Sequence, residues 1–130
     1  MTSQSSAPVD NYAKHLGVSI VQHGGGHAES FVTVTADHLN PHGTTHGAFL
    51  FSVSGIALAA AANNETHSGV ISHVAIDYLR PVREGDQLRA EAKVDVRLPK
   101  EDIFVVKVYR GDEVVARATG RGNRRERVAQ

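Results

Sequence analysis

The chain of 130 residues, 13.9 kDa, has room for one domain and one main core. Apolar residues make up 41% and charged residues 22%, an ordinary soluble balance, and 14 Lys and Arg offset 14 Asp and Glu. Zero formal charge argues against a protein that is basic overall for nucleic acid, and against a membrane-surface binder. The absence of cysteine excludes disulfides, zinc–thiolate sites and cysteine nucleophiles.

The charge is not uniform. Residues 1–66 carry −3, residues 67–116 carry −1, and residues 117–130 carry +4 from five arginines and Glu126. That basic end reads as a solvated tail, with a phosphate contact as the other reading. The expected organisation is a disordered tail over 1–10, a domain over 11–121 and a basic tail over 122–130. The first residues, MTSQSSAPVDNY, show no apolar run and no positive leader, so a secretory signal is not expected and a cytoplasmic location is.

In chain order, Asn11–Leu16 suits one helical turn stopped by Gly17. Val18–Gln22 and Glu29–Thr35 are rich in Val, Ile, Phe and Thr and read as strands, with Gly24, Gly25 and Gly26 as the turn between them. No Lys-Ser/Thr pair follows those glycines, so a phosphate loop is not favoured. Ala36–Thr45 (ADHLNPHGTT) is a loop, and Thr44 or Thr45 can cap the segment after it.

From His46 to Ala62 runs the longest apolar stretch, HGAFLFSVSGIALAAAA, 17 residues without a charge. It falls short of the roughly 20 residues of a membrane span. Without a polar stripe it predicts a helix buried on nearly every side. Four strands follow: Val70–Leu79, Gln87–Arg97, Ile103–Arg110 and Glu113–Gly120. In the second of these, Leu88, Ala90, Ala92, Val94 and Val96 alternate with Arg89, Glu91, Lys93, Asp95 and Arg97, the pattern of a sheet wet on one side. Two strands, one helix and four strands joined by short turns imply an α+β fold. Its antiparallel sheet curls around one long central helix, and its uncovered edge and helix flank imply a homo-oligomer.

The run Asn40-x2-Gly43-x2-His46-Gly47, followed by the apolar helix, resembles the N-x-x-G-x-x-H-G-G motif of hotdog-fold thioesterases of the phenylacetic-acid-degradation type. IDYLRPVREGDQLRAEAKV (Ile76–Val94) is similar to a second stretch of that family, and the likeness extends from about Val18 to Gly120. The resemblance implies a hotdog fold and hydrolysis of a small or aromatic acyl-CoA thioester. Coenzyme A enters as part of the substrate, with no other cofactor and no metal. It implies that Asn40 positions the attacking group and that His46 lies near the carbonyl. Gly47 offers a backbone amide at the positive end of the helix, where a developing oxyanion is stabilised. Gly43, Arg80 and Arg121 are expected on the substrate side, with arginines toward the phosphates.

Two positions depart from the motif. Ala48 replaces its last glycine, and Gly55 stands nine residues after His46, where the family places its catalytic acid. No Asp or Glu occurs from Leu39 to Asn64. Nine helical residues span about 13.5 Å, so such an acid serves a partner's helix start, which implies a dimer or a tetramer built of dimers. Loss of a general base costs about 10²–10⁴ in rate. A protein that binds acyl-CoA without hydrolysing it is therefore the alternative. Two further readings compete: Ser52 or Ser54 activated by His73 or His67, and a metal held by His38, His42 and His46. Against them, the serines can simply satisfy helix carbonyls, and Pro41 and Gly43 interrupt the histidine spacing. Against the family roles, Asn40 before Pro41 is a good turn residue, and His46 can be only a capping or core histidine.

Overall fold

The structure, a computed structural model, describes residues 9–64 and 66–127. Most of the expected N-terminal tail lies outside the described residues. Its last residue, Asp10, accepts the Ala13 amide at 2.8 Å and so starts helix α1 (Asn11–Leu16), which ends at Gly17 with φ +79°. Strands β1 (Ser19–Gly24) and β2 (His27–Thr33) form a hairpin. Its three glycines all have positive φ, which makes them a turn and accounts for their presence. A single 3₁₀ turn, Ala36–His38, leads to helix α2 (Gly47–Ala62). Then come β3 (His67–Ser68), β4 (Ile71–Tyr78), β5 (Gln87–Arg97), β6 (Glu101–Arg110), β7 (Glu113–Asn123) and β8 (Arg125–Glu126).

Six strands pair antiparallel in the order β1-β2-β5-β6-β7-β4, and α2 packs on the inward face of the sheet. This is the expected hotdog arrangement, α+β, with one long helix in a curled sheet. Small side chains permit the curl. Ala28, Ala92, Val106 and Ala118 lie side by side across four strands, and Ser30, Ala90, Val108 and Ala116 form the next row. Leu58 of α2 sits on Gly120, where an added Cβ would come within 2.7 Å of its Cδ2. Ser30 Oγ donates to the Val53 carbonyl at 2.9 Å, tying sheet to helix inside the core.

Several expectations change. The helix is not buried on nearly every side: Phe49, Leu50, Val53, Ile56, Ala57 and Leu58 are, but Phe51 is 42% exposed and Ala48 is exposed. A single sheet covers one side of a helix, and the described residues leave the side of α2 around Phe51 and Gly55 uncovered. Val96, expected inward, is 42% exposed, because a register shift interrupts the β5–β6 ladder between Val94 and Val96. The basic end is not a solvated tail from residue 122 onward. β7 runs to Asn123, and β8 pairs with β3 in a two-stranded ribbon that the sequence did not announce. Arg124 binds Asp102 and donates to the Leu98 carbonyl at 2.7 Å, while Arg127 Nε donates to the Asn64 carbonyl at 2.6 Å. These two arginines are spent on closing the fold.

At the far end, the turn before β5 is held by Asp86, which accepts the Arg83 amide and the Arg110 guanidinium, both at 2.9 Å. Those two donors hold its carboxyl below the usual carboxylate range.

The Leu58–Gly120 contact gives a direct test of how tightly the sheet wraps α2. Gly120→Ala should destabilise the fold by about 1–3 kcal/mol in urea unfolding, since Leu58 is fully buried and has nowhere to move. Adding Leu58→Val should recover part of that loss; purely additive losses would show that the contact is not the cause.

Candidate active site at the start of the buried helix

The first turn of an α-helix leaves backbone amides without partners. At α2 these are dealt with unequally. His46 is the N-cap, and its Nδ1 accepts the Ala48 amide at 3.0 Å. The cap is thus His46 rather than Thr44 or Thr45. Thr44 Oγ1 accepts from Asn40 Nδ2 at 2.8 Å, and Thr45 is buried with its amide donating to the Val82 carbonyl at 2.7 Å. With Nδ1 accepting, the proton of the neutral imidazole sits on Nε2, on an exposed ring. The Gly47 amide meets no acceptor among the described residues. One bare backbone N–H and one free imidazole N–H therefore belong to adjacent residues at the positive end of α2.

Tyr78 at the end of β4 fixes this turn. Its hydroxyl donates to the Gly47 carbonyl at 3.0 Å, and a Cβ at position 47 would lie 3.1 Å from its Cζ. Glycine at 47 therefore makes room for the tyrosine ring as well as for a ligand. The carbonyl that Tyr78 engages and the amide that His46 accepts belong to one peptide group. The hydroxyl, the peptide and the imidazole thus form a chain in which each bond polarises the next. Sequence reasoning noticed Tyr78 only as part of a motif. Its meeting with Gly47, thirty-one positions earlier, is a tertiary fact.

Asn40 and Gly43 belong to the turn that delivers His46. Asn40 Oδ1 accepts the His42 amide at 2.8 Å and the Thr44 amide at 3.3 Å, and Gly43 has φ +87°. A cleft of about 210 Å³ opens beside the helix start, lined by Tyr12 and Leu16 from α1, Asp37, His38 and Leu39 from the preceding loop, and His46, Ala48, Phe49 and Ser52. Tyr12 and Asp37 were not singled out from the sequence. Nothing local marks them, since α1 and the 3₁₀ turn approach α2 only in the folded chain.

The competing site readings are not assembled. His38 has both ring nitrogens engaged, Nδ1 accepting the Thr35 amide at 3.0 Å and Nε2 donating to the Leu16 carbonyl at 3.1 Å, and its ring stacks on Phe49 at 3.7 Å. It is a core histidine, and the turn at Pro41 and Gly43 breaks the helical spacing that a three-histidine metal site needs. Ser52 Oγ donates to the Ala48 carbonyl at 3.0 Å and meets Tyr12 Oη at 2.7 Å, while the Ser54 hydroxyl is buried without a partner among the described residues. Neither serine is hydrogen-bonded to His67 or His73 among the described residues, so no serine–histidine pair is formed there.

The remaining expected residues lie apart. Gly55 sits on the uncovered side of α2, where an added Cβ meets nothing within 4 Å. Close packing of this chain's own backbone is thus not the reason for glycine there. Arg80 is exposed beyond β4, its Nε 3.4 Å from a Glu113 carboxylate oxygen. Arg121 is exposed on β7, opposite His73 of β4.

Comparison with known proteins bears on what this site is. Residues 42–96 match the family described as Thioesterase superfamily. Over 112 residues the chain is 37% identical to the acyl-coenzyme A thioesterase PaaI of Escherichia coli K12, covering 78% of this chain and 80% of that protein. The chain belongs to the thioesterase superfamily. The structure of E. coli PaaI superposes with a TM-score of 0.84 at 35% identity, covering 89% of this chain and 85% of that one. The TT0310 protein of Thermus thermophilus superposes with a TM-score of 0.83 at 30% identity, covering 89% and 98%. The superfamily match spans the helix start, Tyr78 and most of β5, the elements that build the His46–Gly47 turn.

The capping role of His46 can be separated from any role of its free Nε2–H. His46→Ala should cost about 0.5–2 kcal/mol of stability, the range for a lost N-cap. His46→Asn should restore most of it, because a side-chain oxygen again reaches the Ala48 amide. Chemical denaturation of the two variants checks this, and equal losses would count against the cap.

Proposed function

We propose that this protein is an acyl-CoA thioesterase acting on small or aromatic acyl groups. The observation that carries this reading is the unpartnered Gly47 amide at the start of α2, next in sequence to His46, whose Nε2–H is free and which lines a cleft of about 210 Å³. A thioester carbonyl oxygen placed there accepts from both. As water adds to the carbonyl carbon, negative charge builds on that oxygen, and the two donors and the helix terminus stabilise it where it forms. The C–S bond then breaks, releasing the acid and the coenzyme A thiol. The acyl-coenzyme A activity of the PaaI relative, 37% identical, supports the same substrate class.

Arg121 and Arg125 are the members of the basic end whose side chains enter neither an ion pair nor a carbonyl contact among the described residues. They and Arg80 are the side chains offered to the coenzyme A phosphates. Thiol release from a panel of acetyl-, butyryl- and phenylacetyl-CoA between pH 6 and 9 tests the reading. Hydrolysis of at least one is expected, falling about 10²–10³-fold in His46→Asn, the cost of one lost oxyanion donor. Tight binding of all three esters with no thiol release across that range would overturn it.

The active form is a homo-oligomer, a dimer or a tetramer of dimers. Two features support it: the uncovered apolar side of α2 around Phe51 and Gly55, and β4, an edge strand that ends at the exposed Tyr78 and is flanked by the exposed side chains Val70 and Leu79. Light scattering should show a dimer or larger for the natural sequence and a smaller species for Phe51→Asp. A monomer for the natural sequence would remove this part of the proposal.

A further inference from the structure

We propose that Asp37 is the general base of this hydrolysis, an assignment that rests on the thioesterase reading above. The need for it comes from α2, since the chain from Leu39 to Asn64 contains no carboxylate at all. Among the described residues, Asp37 is the only carboxylate lining the cleft that holds His46 and Ala48. It is exposed and enters no ion pair among the described residues, so the group is available to a water molecule. Asp77, next to Tyr78 in sequence, does not compete. Strand alternation turns it away from Gly47, and its carboxylate lies 3.5 Å from Arg117 Nε.

The position of Asp37 is also set firmly relative to His46. The next residue, His38, accepts the His46 amide on its backbone carbonyl at 2.8 Å. Its ring is locked by the Thr35 amide, the Leu16 carbonyl and the face of Phe49. Leu39 then bridges Thr45 in the following step of the loop. The 3₁₀ turn carrying Asp37 is thus fastened at its next residue to the residue that caps α2, and mobility of an exposed loop does not blur the placement.

Asp37 has a second neighbour. With Leu16 and His38 it also lines a larger open groove of about 840 Å³ that includes Lys14, His15, Thr33 and Gln87. The three residues form the wall between groove and cleft. That arrangement suits a base drawing water from the larger groove toward a carbonyl held in the smaller cleft. The Asp37 carboxylate takes a proton from water as the water oxygen bonds to the thioester carbon. The tetrahedral oxyanion rests on the Gly47 and His46 donors and then collapses, breaking the C–S bond. The departing thiolate takes the proton back from Asp37, and acid and thiol leave with the enzyme unchanged.

The experiment compares the natural protein with Asp37→Asn and Asp37→Ala, using the acyl-CoA hydrolysed fastest. Binding of a thioether analogue of that ester, which cannot be cleaved, is measured alongside. Asp37→Asn should lower kcat by about 10²–10⁴ while KM and analogue binding stay within about threefold, and added formate should return part of the rate to Asp37→Ala. A merely structural aspartate would shift analogue binding with kcat, and formate would not rescue it. Hydrolysis by Asp37→Asn at the natural rate overturns the assignment and leaves the thioesterase reading intact. Absence of hydrolysis by the natural protein overturns that reading first, and this one with it.

Discussion

The first turn of α2 has more amide donors than the helix can use, and the chemistry proposed for this protein grows from how that surplus is divided. His46 consumes the Ala48 amide, His38 takes the amide of His46, and the Gly47 amide is left bare among the described residues. Had a serine or threonine capped the helix in the usual way, the turn would be equally stable but would present no imidazole N–H beside the free amide. The histidine cap satisfies the helix through one nitrogen and leaves the other pointing outward. Tyr78 then holds the intervening peptide in place through the Gly47 carbonyl.

This arrangement needs α2 held at a defined depth in the sheet. The inward rows of alanine, serine and valine let the strands come close, and Leu58 seated on Gly120 sets the separation. The antiparallel order places β4 beside β7, so that Tyr78 arrives at the helix start. Larger residues in those rows would push the helix outward and carry Gly47 away from the tyrosine. Packing of small side chains in the core and geometry at the helix terminus are therefore one constraint.

The same sheet leaves the opposite side of α2 uncovered, with a half-exposed Phe51 and open space at Gly55. Ala48 and Ser52 of the cleft and Gly55 follow one another at i, i+4 and i+7. A carboxylate at position 55 would project from the same stripe of α2, about two turns beyond the helix start. The bare side of the helix is thus continuous with the cleft at its start.

Much of this was legible in the sequence. The alternation in Gln87–Arg97, the uncharged run from His46 to Ala62 and the turn glycines define strands, helix and hairpins, because period, polarity and positive φ act locally. The motif around His46 and Gly47 marked where α2 begins. By contrast, some strand limits moved by up to three residues while Gln87–Arg97 stayed where it was expected, since registry with a neighbouring strand sets where a ladder stops. The last arginines looked like a solvated run, but Arg124 and Arg127 close on carbonyls that sequence order places 26 and 63 positions away. The meetings of Tyr78 with Gly47, of His38 with Phe49 and Leu16, and of Asp37 with the cleft were likewise decided by the tertiary structure. Local sequence determines which segments pair and which turn, but a site is made of contacts between segments. Those exist only once the sheet has closed around its helix.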